Sequence, residues 1–291
     1  MMTNNRTMIE GVITITGPKT GKTVSIIGGV HGNEECGVRA IKELLPKIKI
    51  TAGKIHFIYG NPLAIARVVR QTGMNLNRAF LPEKELTDAE KLSYERKRAL
   101  EIMPFLEQSD ALLDLHASQS KNTIPFVICE PPSFVVAKQL SFPIISCGWD
   151  ELEPGSTDYF MNKMGKIGLC IECGYHYDSL SVARAKRTIS DFLNLMGLTE
   201  GKISIFPSKQ RPKIIRVHSI YHTKKNFSPA REFADFEGLK KGELIGRDGT
   251  ERIFAPDDDY IVFCRRRKNS GEEAFLLGED LEVISESSES V

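Results

Sequence analysis

With 291 residues, 41% hydrophobic and 26% charged, the chain is long enough to bury a substantial core and has the composition of a globular protein. Its 39 basic and 38 acidic residues leave a net charge of +1, so no global field recruits nucleic acid. No apolar stretch is long enough to span a bilayer, and the first residues lead into no apolar signal segment, so no membrane partner is expected and a cytoplasmic location is.

Residues 24–30 are a short apolar run bounded by glycine, the pattern of a buried strand. The run ends in Gly28-Gly29-Val30 and leads at once into His31-Gly32-Asn33-Glu34. A neutral imidazole and a carboxylate three residues apart reach one cation from a single turn, and Zn²⁺ favours that mixture of nitrogen and oxygen. The pair leaves the site short of a ligand. Residues 34–45 carry apolar side chains at helical spacing, stopped by Pro46, and 55–59 form a second strand ended by Gly60-Asn61-Pro62.

Next comes the loop from Arg70 to Arg78, in which two arginines and two asparagines surround a glycine. Guanidinium forks suit carboxylates and developing oxyanions. One arginine for a scissile carbonyl and the Asn77-Arg78 pair for a substrate carboxylate form a coherent site; a solvated loop with incidental arginines is the alternative. Thr87 and Glu90 have capping-box spacing and open a helix over 87–107.

Short apolar runs follow at 111–115, 125–129, 144–147 and 168–173, with helical patterns at 133–140, 157–164 and 178–196. This alternation implies an α/β fold with a parallel or mixed sheet and helices on both faces. His116 stands just past one such run and offers the third ligand. Ligands at carboxyl ends of strands converge on one crevice in open α/β sheets. Two histidines and a glutamate around zinc leave a fourth position for water. Hydrolysis then needs a base, and Glu172, a lone carboxylate ending an apolar strand, is the candidate; the alternative is the first solvated residue after the strand. The six cysteines are scattered and read as buried thiols; Cys170 and Cys173 have no second pair to complete a metal site.

Composition shifts after Gly197. Residues 201–212 are a polar connector, and short strands follow at 214–222, 242–246, 252–254 and 260–264, with turns at Lys241-Gly242, Asp248-Gly249 and Pro256-Asp257. The expected organisation is a catalytic domain over 1–205 and a small all-β domain over 206–291. The basic run Arg265 to Lys268 reads as a solvated hairpin tip, Trp149 and Pro131-Pro132 as loop markers, and 279–291 as a frayed acidic tail. His176, with Tyr175 and Tyr177, follows Glu172 closely enough to line a pocket.

The ordered set resembles the succinylglutamate desuccinylase/aspartoacylase family, a branch of the zinc carboxypeptidase superfamily. Gly29 to Glu34 is similar to its first metal motif and Asp114-Leu115-His116 to its second. Gly60-Asn61-Pro62, Arg70 and Asn77-Arg78 resemble its substrate-binding segment, and Ile171-Glu172 its catalytic glutamate. The pattern over 236–263 is similar to its small C-terminal β domain. The resemblance implies a zinc-carboxypeptidase-like mixed sheet flanked by helices. It implies one Zn²⁺ on His31, Glu34 and His116, Glu172 as general base and then acid, and Arg70 polarising the scissile carbonyl. Asn77 with Arg78 would hold a substrate carboxylate, and Asp114 would orient a ligand.

One departure bears on substrate. Aspartoacylases carry a further arginine about ten residues before the catalytic glutamate, where this chain reads Tyr159-Phe160-Met161-Asn162-Lys163-Met164. Lys163 offers a point charge and no fork. The expectation is a zinc-dependent amidohydrolase acting on a small N-acyl amino acid or related carboxylate. A metallocarboxypeptidase acting on peptide C-termini and a non-catalytic metal-binding module are the alternatives. The acyl group, the amine and the oligomeric state stay open.

Overall fold

A computed structural model describes residues 10–201 and 211–281. The first part runs β1 (Val12–Thr16), β2 (Thr23–Gly28), α1 (Glu35–Leu44), β3 (Lys54–Tyr59), α2 (Pro62–Arg67), α3 (Asp88–Lys91), α4 (Tyr94–Gln108) and β4 (Ala111–Ser118). It continues through β5 (Phe126–Ile128), α5 (Phe134–Ala137), β6 (Ile144–Cys147), α6 (Trp149–Leu152), α7 (Thr157–Lys163), β7 (Ile167–Tyr175) and α8 (Ser179–Leu195). The rest is all β: β8 (Lys213–His222), β9 (Phe227–Pro229), β10 (Glu237–Gly238), β11 (Leu244–Asp248), β12 (Glu251–Phe254), β13 (Tyr260–Val262) and β14 (Glu273–Asp280).

Eleven strands form one mixed sheet in the order β1-β3-β2-β4-β7-β5-β6-β8-β14-β13-β10, and β12-β11-β9 form a second, three-stranded sheet. β3, β2, β4 and β7 run parallel, and β1 and β5 are antiparallel to their neighbours β3 and β7. The parallel strands read as continuous apolar runs because both faces are covered. Val24, Ile26, Leu113 and Leu115 pack under α1 and α8, against Ala40, Ile41, Ile189 and Phe192. Ile27 and Leu112 face the other way, onto Ala99, Ile102 and Leu106 of α4 and Met161 of α7. Side chains alternate along a strand, so Asp114 and His116 share the face of Leu112.

Several elements differ from the sequence expectation. The capping box at Thr87 and Glu90 forms, but the helix expected over 87–107 breaks into α3 and α4, because Ser93 caps again by accepting from the Arg96 N–H. The helix expected over 133–140 shrinks to α5, entered through a single turn at Pro131–Ser133. β1 was not anticipated, although Val12-Ile13-Thr14-Ile15-Thr16 alternates; it closes the edge of the sheet on β3. Nor was β14, whose Ala274 to Leu277 segment is buried between β8 and β13; it includes residues 279–280 of the expected tail, and 282–291 lie outside the described residues.

The C-terminal strands do not form a sheet of their own throughout. β8 lies parallel to β6 and antiparallel to β14, so part of the all-β portion continues the large sheet. The expected boundary at 205/206 lies outside the described residues. All six cysteines are free thiols, five of them buried. Among the described residues, no helix is long and apolar enough to cross a membrane.

Candidate metal centre and cleft

The carboxyl end of β2 is shaped by close backbone approach. A Cβ on Gly28 would sit 2.6 Å from the carbonyl carbon of Gly37, so strand and helix α1 touch without side chains between them. Gly29, at φ +76°, then turns the chain. The Glu34 N–H donates to the His31 carbonyl at 3.1 Å, and Glu34 occupies the N-cap position of α1 without capping it. Its carboxylate is turned inward instead.

There the ligand atoms of His31, Glu34 and His116 all lie within 4.8 Å of one another, and all three residues are buried. Glu34 Oε1 is 2.9 Å from His31 Nδ1, and Glu34 Oε2 is 3.0 Å from His116 Nδ1. The far nitrogens face acceptors. His31 Nε2 is 3.0 Å from Asn75 Oδ1, and His116 Nε2 is 3.3 Å from Asp114 Oδ2, which itself accepts from Thr157 Oγ1 at 2.5 Å. Glu34 sits between the two Nδ1 atoms, and the Nε2 sides carry acceptors of their own, so each ring can give its Nε2 proton outward and offer its Nδ1 to a shared cation. Two buried imidazoles and a carboxylate around one point fit a zinc ion.

The protonation states follow from the crowding. Burial lowers the His31 imidazole from its ordinary value. Burial would raise Glu34, but His31 and His116 outweigh it and hold the carboxyl well below the usual range. Burial also opposes a charge on His116, yet Cys170 and Asp114 outweigh it and hold the imidazole well above its usual value.

Sheet register brings in the next group. In the parallel β4–β7 pair, His116 lies opposite Glu172. Glu172 is buried, its Oε2 has no hydrogen-bond partner, and burial followed by the charge of Glu34 pushes its pKa up to about 8. His31, His116 and Glu172 line one open cleft.

Arg70, Asn75, Asn77 and Arg78 line the same cleft. Gly32 allows this. Its N–H donates to the Arg70 carbonyl at 3.2 Å, and a Cβ there would sit 2.1 Å from the Ala64 carbonyl carbon in α2. The Arg70 guanidinium donates to Glu34 Oε1 at 3.0 Å. Asn75 Oδ1 accepts from the Asn77 N–H at 3.0 Å while contacting His31, so one side chain ties the arginine loop to the ligand turn. Arg78 pairs with Glu153 and donates to the Asn77 carbonyl at 2.9 Å. Asn77 Oδ1 is buried without a partner.

Sequence reasoning missed Glu153, Asp158, Trp149 and Phe263, which also line the cleft. Trp149, read as a loop marker, lies in α6, and only its distant contact with Phe263 marks it. Lys163 is not brought in: it is exposed, with its Nζ 5.0 Å from the centre of the Tyr159 ring. His176 packs its ring 3.8 Å from that of Tyr177, and neither they nor Tyr175 line the cleft. Nor is the basic run a solvated tip throughout, since the Arg265 guanidinium lies 5.0 Å from the Phe263 ring centre and its Nε is buried without a hydrogen bond.

Known proteins resemble this chain along most of its length. The succinylglutamate desuccinylase/aspartoacylase catalytic domain matches residues 20–196. A succinylglutamate desuccinylase of Pseudoalteromonas atlantica is 27% identical, over 89% of this chain and 81% of its own length. An N-acyl-aromatic-L-amino acid amidohydrolase (carboxylate-forming) of Xenopus tropicalis is 30% identical, over 77% of this chain and 76% of its own. The crystal structure of a succinylglutamate desuccinylase from Vibrio cholerae superposes with a TM-score of 0.75 at 20% identity, covering 93% of this chain and 85% of that one, a likeness of fold.

Proposed function

The chain belongs to the succinylglutamate desuccinylase/aspartoacylase family, and from that premise we propose that it is a zinc-dependent hydrolase cleaving the amide bond of a small N-acyl amino acid. The observation that carries this reading is the buried His31–Glu34–His116 cluster with Glu172 opposite His116 in register. His31, Glu34 and His116 would hold one Zn²⁺ per chain. Zinc bound there supplies a Lewis acid for the scissile carbonyl and lowers the pKa of a bound water.

The chain's own groups do the rest. Glu172 takes a proton from the attacking water and returns it to the leaving amine. A neighbouring cation stabilises its carboxylate form, opposing the burial that otherwise keeps it protonated. Arg70, already aimed at the cluster, donates to the oxygen on which negative charge develops. Asn77 and Arg78 hold the substrate carboxylate, with Arg78 giving up part of its contact to Glu153. Asp114 fixes the ring of His116, and Asn75 that of His31. The chemistry belongs to the catalytic domain expected over 1–205, and the expected C-terminal domain adds Phe263 to the cleft, which favours a small substrate over a polypeptide.

The test is metal analysis joined to amine release from a panel of N-acyl amino acids. The expected result is one zinc per chain, turnover lost on exhaustive chelation and restored by zinc, and metal lost in His31→Ala. Full activity after chelation would remove the metal from the reading.

A further inference from the structure

We propose that the cleft selects an N-acyl amino acid with one carboxylate and an apolar group, seated against Trp149 and Phe263. This rests on the hydrolase reading above and names its substrate class. Trp149, Phe263, Ile128 and Cys170 make one wall of the cleft. The Trp149 indole N–H is already used, donating to Ser146 Oγ at 2.9 Å, so the indole offers the cleft an apolar surface. Phe263 is set there at a conformational cost. Its φ is +53°, a region that bulky side chains rarely adopt, and the Phe263 N–H is fixed by Asp235 Oδ1 at 2.8 Å. Its ring stands 5.8 Å from that of Trp149 and 6.0 Å from that of Phe126.

Charge completes the argument. Arg70 and Arg78 are the guanidinium groups lining the cleft, and each is paired with a carboxylate, Glu34 and Glu153. Asp158, buried and held by Ser156 Oγ at 2.5 Å, lines the cleft as well. Among the lining residues, a second substrate carboxylate would meet Glu153 and Asp158 and only paired guanidiniums; Arg265, whose Nε is unpartnered, stands against Phe263 and is not one of them. An apolar group would meet the wall.

The experiment uses Trp149, the single tryptophan of the chain. The full-length protein carrying Glu172→Gln is loaded with zinc and titrated, following tryptophan emission, with N-acetyl-L-norleucine, N-hexanoylglycine and N-acetyl-L-aspartate. At least one of the first two is expected to shift the emission and bind about tenfold or more tighter than N-acetyl-L-aspartate, the scale of an apolar pocket contact. Which of them does so tells whether the wall takes the side chain or the acyl chain. Phe263→Ala should erase that preference and Phe263→Leu should keep most of it. The proposal is overturned by equal or tighter binding of N-acetyl-L-aspartate, by no binding of the apolar compounds, or by a preference that survives Phe263→Ala. Amine release by the protein without the Glu172 substitution is read separately. A retained preference with no turnover of any compound removes the hydrolase reading and leaves the apolar subsite standing.

Discussion

His31, Glu34 and His116 leave the carboxyl ends of β2 and β4, two adjacent strands of a parallel sheet, and Glu172 lies on the next strand in register. Trp149 and Phe263 reach the same cleft from a short helix and from the all-β portion, and meet only through tertiary packing. The first group is positioned by backbone hydrogen bonds and by glycines that admit no side chain. The second depends on how a distant segment docks. In the proposed function, chemistry is therefore anchored where local motifs and sheet register suffice, and selectivity where the chain must come back from far away.

The largest effect should come from the sheet-anchored side. Glu172→Gln is expected to lower kcat by ~10²–10⁴ while bound zinc, measured by elemental analysis, stays unchanged. Loss of metal in that variant would make Glu172 a ligand and not a base. Arg70→Ala should cost ~10²–10³ in kcat, as removal of one oxyanion donor does. A wild-type rate would take Arg70 out of the reaction and leave it a partner of Glu34 alone.

Acid should separate the two regions as well. His56 of β3, on the catalytic side, is held down to about 4 by burial and then by Lys54, against an ordinary 6.5. Between those values the unfolded chain binds a proton that the folded chain refuses, so stability falls as pH drops through that window, by at most about 3 kcal/mol. For Asp248, in the β11–β12 hairpin, burial acts upward, but the N–H groups of Lys224 and Lys225 and the hydroxyls of Thr223 and Tyr221 outweigh it and keep it below its ordinary 3.8. Its contribution persists above that value and is lost only at lower pH. Amide protection factors, taken relative to the intrinsic rate at each pH, should therefore fall in β1 and β3 on acidification from pH 6.5 to 4 while those of the β11–β12 hairpin hold. Simultaneous loss of protection in both would mean that the two sheets open as one unit. The smallest effect is on the boundary between the regions: Arg78→Lys keeps the charge, loses the fork, and should raise KM ~10-fold with kcat nearly preserved.

The His31–Glu34 half of the buried cluster was legible because its signal is short in sequence: an apolar run, glycines, then the two residues. His116 and Glu172 were legible for a similar reason, each following the apolar run of a strand that continues past it. The strands of the parallel core were found within three residues of their ends, β4 running on to Ser118, since burial on both faces leaves a continuous apolar run. The break at Ser93 was hidden because the residues around it still look helical, and only the competing cap decides. β14 was obscured by the acidic end of the chain, and its burial depends on β8 and β13 being beside it. Glu153 and Phe263 carried no signal at all. A glutamate in a loop and a phenylalanine before a basic run acquire meaning only when Arg78 and Trp149 stand next to them.

The close approach at Gly32 has a consequence for how this protein can change. The turn bearing His31 lies directly on helix α2, which leads into the loop bearing Arg70, and a methyl group on Gly32 would have to occupy the volume of the Ala64 backbone. Even alanine at Gly32 must wedge the two apart, with every reactive group still present in the chain. Lineages descending from this sequence are thus free to redecorate the outer wall, but at this spot they have no small step to take.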